Sequence, residues 1–167
     1  GIHWVSCPGC NAQAVCDYVE EAIASSPHRL IASSPLTVGI IGYGHVGKLV
    51  AQMAQRRGYK VLLSDPPLGI GAPLTDIASQ CDVLTFHTPL TFDGEYPTYH
   101  LCDENVLRLC KPGTLIINAA RGGIIDEQAL LLRLNSLPFR EGMGVGCAID
   151  CWEGEPNLNH ELLKHVD

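Results

Sequence analysis

The sequence predicts an α/β protein: a doubly wound parallel sheet preceded by a separate N-terminal helix. Five short segments are almost continuously apolar, as strands covered on both faces must be. Helical patterns joined by short turns lie between them, the alternation that builds right-handed βαβ units. A glycine-rich turn, Gly42-Tyr43-Gly44-His45-Val46-Gly47, stands where the first strand passes into the first helix of that alternation.

The elements come in order along the chain. Residues 10–25, CNAQAVCDYVEEAIAS, carry apolar positions at helical spacing. Two SSP breakers, at 25–27 and 33–35, come next, so this helix is expected to stand apart from the strands and helices after it. Residues 1–35 are accordingly read as a linker helix region and residues 36–167 as the sheet domain. LTVGIIG (36–42) is the first strand, and HVGKLVAQMAQRRG (45–58) is an amphipathic helix closed by Gly58. YKVLLSD (59–65) is the second strand. A turn-rich stretch with Pro66, Pro67, Gly69, Gly71 and Pro73 leads to a short helix near 75–80, and DVLTFH (82–87) is the third strand. The segment 88–101, TPLTFDGEYPTYHL, is an unusually long, irregular connection. A helix near 103–109, the strand TLIINA (114–119), the helix DEQALLLRLNS (126–136) and the strand VGCAID (145–150) complete the pattern.

Composition narrows the possible functions. With 46% hydrophobic and 17% charged residues, a chain of 167 residues has a large apolar core and is not a disordered polymer. Its net charge of −7 would repel a phosphate backbone, so nucleic acid is not an expected partner. No apolar run approaches the ~20 residues needed to cross a bilayer. The start, GIHWVSCPGC, has neither a basic n-region nor an apolar h-region, so a cytoplasmic location is expected. It also lacks an initiator Met, which suggests a fragment. Cys7-Pro8-Gly9-Cys10 has CxxC spacing, but no second such pair completes a four-ligand zinc set, and no metal is expected. Cys81, Cys102, Cys110, Cys147 and Cys151 fall in or beside strands and helices, where free cysteine behaves as a small buried hydrophobe.

The glycine turn carries the first chemical signal. GxGxxG is weak alone, but here it follows a strand and opens a helix, which is the context of Rossmann-type dinucleotide binding. Gly42 would allow the tight turn, and Gly44 would let backbone N–H groups approach a pyrophosphate. Gly47 would let the helix approach the strand, with phosphates at the helix N-terminus. His45 reads as a tolerated variable position whose backbone N–H, with that of Val46, faces the phosphates. Asp65 ends the second strand eighteen residues past Gly47. A carboxylate there can accept hydrogen bonds from the adenosine ribose hydroxyls and would repel a 2′-phosphate, favouring NAD over NADP. The plain alternative for Asp65 is a turn acid before Pro66-Pro67. S-adenosylmethionine and FAD are the competing ligands, but neither explains the later strand ends.

Ligands of doubly wound sheets sit beyond the carboxyl ends of the strands. Those ends read Asp65; His87-Thr88-Pro89-Leu90; Asn118-Ala119-Ala120-Arg121-Gly122-Gly123; and Asp150-Cys151-Trp152-Glu153-Gly154-Glu155-Pro156. Arg121 is the one cation among them, suited to clamping a carboxylate with two parallel hydrogen bonds.

GxGxxG, HTPL, NAARGGIIDEQAL and the Asp-x-Trp-Glu-x-Glu-Pro run resemble the signatures of the D-2-hydroxyacid dehydrogenase family across nearly the whole chain. PGCNAQAV, LSDPP, LTFHTPLTFDGEYPTYHL and DCWEGEPNLNHELLKHVD are most similar to a member acting on a phosphorylated four-carbon 2-hydroxy acid. The resemblance implies NAD-dependent oxidation of a small phosphorylated 2-hydroxy acid at its 2-hydroxyl. It implies that Arg121 binds the substrate carboxylate and that Glu155 hydrogen-bonds a histidine, raising its pKa for proton exchange. Thr88, Ala119, Ala120, Arg121 and Asp150 would line the cofactor, with Asp150 near the nicotinamide.

Compared with that member, the loop after Asp65-Pro66-Pro67 is shorter and the stretch 135–144, NSLPFREGMG, is longer. Family members also have a substrate domain that has no counterpart in this chain, and their full-length form is expected to be a homodimer. The catalytic histidine of the family would come just after Asp167. His160 and His165, five apart on a predicted helix, point in different directions and read as solvated residues. His87 reads as a packing group, and the role of His100 is open. The chain alone is therefore expected to bind NAD without turnover. Two other readings are a family member with a different substrate, such as 3-phosphoglycerate, and a non-catalytic NAD-sensing or partner-binding protein on the same scaffold.

Overall fold

The computed structural model describes residues 2, 3, 5, 7–26, 35–136 and 144–165. Pro27 of the first SSP breaker, Ser33 and Ser34 of the second, and most of the 135–144 stretch thus lie outside the described residues. Alternation of strand and helix gives a six-stranded sheet built from β1 (Thr37–Ile41), β2 (Lys60–Asp65), β3 (Ile70–Gly71), β4 (Val83–Phe86), β5 (Leu115–Asn118) and β6 (Gly146–Ile149). Their order across the sheet is β3-β2-β1-β4-β5-β6. All neighbours are parallel except β3, which pairs antiparallel with β2 through Ser64↔Gly71 and Asp65↔Ile70.

Period-two alternation divides the strand residues between two apolar layers. Ile41, Leu84, Phe86, Ile116 and Ile149 face one layer, which is covered by α3 (Leu74–Ala78), α4 (Glu104–Leu109) and α5 (Glu127–Ser136). Val38, Ile40, Val83, Leu115 and Ile117 face the other, covered by α1 (Ala12–Ser25) and α2 (His45–Arg56). Being covered on both faces is why these strands read as unbroken hydrophobic runs. At the amino-terminal edge of the sheet the Asp82 carboxylate accepts from the Thr37 N–H at 2.7 Å and from Lys111 Nζ at 2.6 Å, tying three strand starts together.

The structure departs from the sequence reading in three places. Helix α1 does not stand apart: Ala12, Cys16, Val19 and Ile23, spaced along one helical stripe, are buried, and the last three pack with Val50, Met53 and Ala54 of α2. Sequence separation by breakers does not prevent docking when the apolar stripe has a matching face to cover. The sheet has a sixth strand, because Gly69 (φ 64°) and Gly71 (φ 81°) let the chain reverse after the 3₁₀ turn Pro66–Leu68 and pair briefly with β2. A two-residue pairing leaves no periodic signal. Finally, residues 159–165 form no full helix but a single 3₁₀ turn, Leu162–Lys164, that buries only Leu162.

The cysteine reading largely holds. Cys16, Cys81, Cys102, Cys110 and Cys147 are buried, whereas Cys151 is only partly covered. Burial pushes the Cys81 thiol up to about 12 and Cys110 up to about 11, so neither is a thiolate near neutral pH. Among the described residues no helix is long and apolar enough to cross a membrane.

Candidate functional site

Strand order locates the site. From β1 the chain crosses to β2 on one side, and β4 begins the run to β5 and β6 on the other, so a crevice opens beyond the carboxyl ends of β1 and β4. Gly42 leaves β1 at φ 93°, and a Cβ there would lie 2.7 Å from the His87 carbonyl oxygen. A Cβ on Gly47 would run into the Gly42 carbonyl, so α2 can start this close to β1 only with glycine at that position. Gly44 is different. A side chain there would meet nothing within 4 Å, so the backbone borders open space. Gly44 caps α2 without any side-chain hydrogen bond, and the N–H groups of His45, Val46 and Gly47 have no acceptor within the helix. An uncapped helix start bordered by glycine fits a pyrophosphate.

Asp65 lies beside this turn. Its Oδ2 accepts from the Tyr43 N–H at 2.7 Å and its Oδ1 from the Leu68 N–H at 3.3 Å, fixing the carboxylate at the end of β2. Asp65 is thus a turn acid, and each oxygen keeps a lone pair with which a ribose hydroxyl is compatible. At the end of β4, Thr88 Oγ1 and His87 Nδ1 are buried without a partner. Buried polar atoms are normally satisfied, so an unpartnered hydroxyl beside the crevice suits a group that accepts a ligand contact. His87 Nε2 sits 3.0 Å from Thr85 Oγ1, and burial lowers its pKa to about 4. The ring is thus neutral and packs beneath the strand end.

On the other side of the crevice, the Asn118 side chain joins the ends of β5 and β6. Its Nδ2 donates to the carbonyls of Arg121 (2.9 Å) and Cys151 (3.2 Å), and its Oδ1 accepts from the Ala120 N–H (3.2 Å). Gly122 has the Trp152 carbonyl where a side chain would begin, so the two loops touch backbone to backbone. Ala119 and Ala120 are buried, whereas Arg121, Asp150 and Glu155 are exposed on these adjoining loops. Arg121 Nη1 donates to the Ala120 carbonyl at 2.6 Å. Glu155 Oε1 accepts from the Trp152 N–H at 2.8 Å and so closes its own loop.

No described hydrogen bond or ion pair joins Glu155 to a histidine, and both His160 and His165 are exposed. A different Glu–His pair forms among the described residues. His100 Nε2 lies 3.0 and 3.1 Å from the two oxygens of Glu153, and its Nδ1 lies 3.6 Å from Asp126 Oδ2. The Tyr99 ring stacks on His100 at 3.9 Å, and its hydroxyl donates to Glu153 at 3.0 Å. The Glu153 N–H in turn donates to Glu127 Oε1 at 2.5 Å, and burial raises the pKa of that carboxyl. His100, at φ 51°, thereby fastens the long 88–101 connection to the 150–156 loop across an open cleft. Sequence reasoning left His100 open and missed Glu153. Local sequence carries no signal for a contact spanning 53 positions.

Comparisons with known proteins identify the family. Residues 17–167 match the family described as D-isomer specific 2-hydroxyacid dehydrogenase, NAD binding domain. The chain is 44% identical, over an alignment of 174 positions, to erythronate-4-phosphate dehydrogenase of Escherichia coli strain K12, and equally so to that of Escherichia fergusonii. Each alignment takes in 100% of this chain but spans only 45% of the enzyme's length. Among solved structures, NAD⁺-bound 3-phosphoglycerate dehydrogenase of Entamoeba histolytica superposes with a TM-score of 0.76 at 23% identity, covering 95% of this chain and 53% of that one. The D-mandelate dehydrogenase of Rhodotorula graminis gives 0.71 at 25% identity, with 95% and 55% covered. The fold is thus shared well beyond close relatives, and this chain belongs to the D-isomer specific 2-hydroxyacid dehydrogenases, matching their NAD-binding domain.

Proposed function

We propose that this chain is the cofactor domain of an enzyme that oxidises 4-phospho-D-erythronate at its 2-hydroxyl to the 2-oxo acid, a step toward pyridoxal 5′-phosphate. The observation that carries the reading is the 44% identity to erythronate-4-phosphate dehydrogenase over the entire chain, including the long 88–101 connection. NAD held there would supply the hydride acceptor for oxidation at the substrate's 2-carbon. The residues of this chain orient and neutralise. The N–H groups of His45 and Val46 and the backbone at Gly42, Gly44 and Gly47 receive the pyrophosphate, and Asp65 holds the adenosine ribose. Thr88, Ala119, Ala120 and Asp150 line the remaining cofactor path. Arg121, already exposed at the β5 end, turns from the Ala120 carbonyl to clamp the substrate carboxylate. Glu155 keeps one carboxylate oxygen on its own loop and presents the other to a histidine supplied from elsewhere in the full-length enzyme, holding that base protonatable near neutral pH. The full-length form is a cytoplasmic homodimer.

The test is an assay of NADH formation with two proteins: this chain alone, and the polypeptide extended to the length of its relatives. The extended protein should oxidise 4-phosphoerythronate in preference to 3-phosphoglycerate, and the chain alone should bind NAD without turnover. Preference for 3-phosphoglycerate by the extended protein, or turnover by the chain alone, would overturn the reading.

A further inference from the structure

The Cys7-Pro8-Gly9-Cys10 segment has no part in the proposed chemistry. Its two thiols are free and exposed, unlike the buried cysteines of the core. They are also held together by backbone geometry. The Cys10 N–H donates to the Cys7 carbonyl at 3.2 Å, and Gly9 sits at φ 80°, as the third position of a type II turn requires. A β-turn keeps its first and fourth Cα atoms within about 7 Å, and a disulfide asks for roughly 4.4–6.8 Å, so a bond can form with little rearrangement of the turn. The turn also rests on the phosphate end of α2: a Cβ added to Gly9 would lie 2.9 Å from His45 Cγ and 3.2 Å from its Nδ1. The turn between two accessible thiols therefore abuts the side chain of a residue whose backbone N–H belongs to the uncapped start of that helix.

We propose that Cys7 and Cys10 form a reversible dithiol–disulfide modification site, oxidised by low-molecular-weight disulfides such as glutathione disulfide. Its state is felt at the NAD phosphate site through the Gly9–His45 contact. One cysteine thiolate attacks glutathione disulfide, forming a mixed disulfide and releasing one glutathione thiolate. The other thiolate then attacks the protein sulfur, forming the Cys7–Cys10 bond and releasing the second glutathione. The chain loses two protons and two electrons, and the oxidant leaves as two thiols. The bond locks the turn against His45 and so preorganises the start of α2 for the pyrophosphate.

The experiment treats the 167-residue chain with glutathione disulfide and follows intact mass and NAD affinity. Loss of two hydrogens, without glutathione adducts, maps to a peptide joining Cys7 to Cys10 and is reversed by dithiothreitol. NAD then binds about threefold more tightly in the oxidised chain. C7S and C10S each carry one glutathione adduct on the remaining thiol, and the double variant keeps the reduced affinity under both conditions. Stable adducts on both cysteines of the unsubstituted chain, or disulfide-linked dimers, overturn the site. A clean internal disulfide with unchanged NAD affinity overturns the coupling to α2. Because mass is read without NAD, failure of the disulfide is distinguishable from failure of cofactor binding.

Discussion

At the scale of single residues, the site depends on positions where only one chemistry fits. Gly47 has no room for a side chain against the Gly42 carbonyl, so Gly47→Ala should push α2 away from β1. We expect a loss of about 1–3 kcal/mol in chemical denaturation, together with loss of measurable NAD binding in calorimetry. Asp65→Asn keeps an acceptor for only one of the Tyr43 and Leu68 N–H groups, turns an amide NH2 toward the other, and removes the charge. NAD affinity should fall about tenfold while NADP affinity rises, because a neutral amide no longer repels a 2′-phosphate. His87 makes a pH prediction. Its pKa is lowered by burial from 6.5 to about 4, so the unfolded chain takes up a proton that the folded chain refuses. Stability is then complete above about pH 6.5 and declines as pH falls toward 4, by on the order of 3 kcal/mol at most. Thermal melts of the unsubstituted chain and His87→Gln across that window should diverge, the variant losing less. Identical slopes would show that His87 does not carry the effect.

At the scale of elements, two docked pieces set the geometry of the site. Helix α1 covers α2 through Cys16, Val19 and Ile23. Ile23→Ala should therefore cost about 2–4 kcal/mol, read as a lower denaturation midpoint with unchanged sheet content by circular dichroism. The second piece is the His100–Glu153 tie between the 88–101 connection and the 150–156 loop. His100→Asn tolerates the positive φ but loses both carboxylate contacts, whereas His100→Ala loses the contacts and strains the backbone. Hydrogen exchange at the 150–156 amides should rise in both variants, and global stability should fall further in the alanine variant. Unchanged exchange in both would mean that the loop is held without the His100 contacts. Apart from the two-residue β3, the elements were legible, since the strands read from apolar runs and the long helices from periodicity to within a few residues. The dockings were not, because a stripe of apolar residues on α1 does not say which face it will cover.

At the scale of the whole molecule, cofactor binding should be visible as stabilisation. A ligand that binds only the folded state at 100 times its dissociation constant adds about 2.7 kcal/mol, roughly 5–11 °C for a domain of this size. NAD should raise the melting temperature of this chain by that order, with a smaller rise for NADP. An equal rise for both would count against Asp65 as the discriminating residue.

The sequence by itself determined the doubly wound sheet, the glycine turn, the acid at the end of the second strand and the membership of a dehydrogenase family. Each of these is written in neighbouring residues: unbroken apolar runs, spaced glycines, a strand end. Tertiary structure alone decided that α1 packs behind α2, that Asn118 links the ends of β5 and β6, and that His100 pairs with Glu153 instead of any nearby histidine pairing with Glu155. Those contacts join residues 33 and 53 positions apart, or helices separated by breakers, and they exist only once the strands have been ordered side by side. A side chain's type shows what it can bond. Only the fold shows what comes within 3 Å of it.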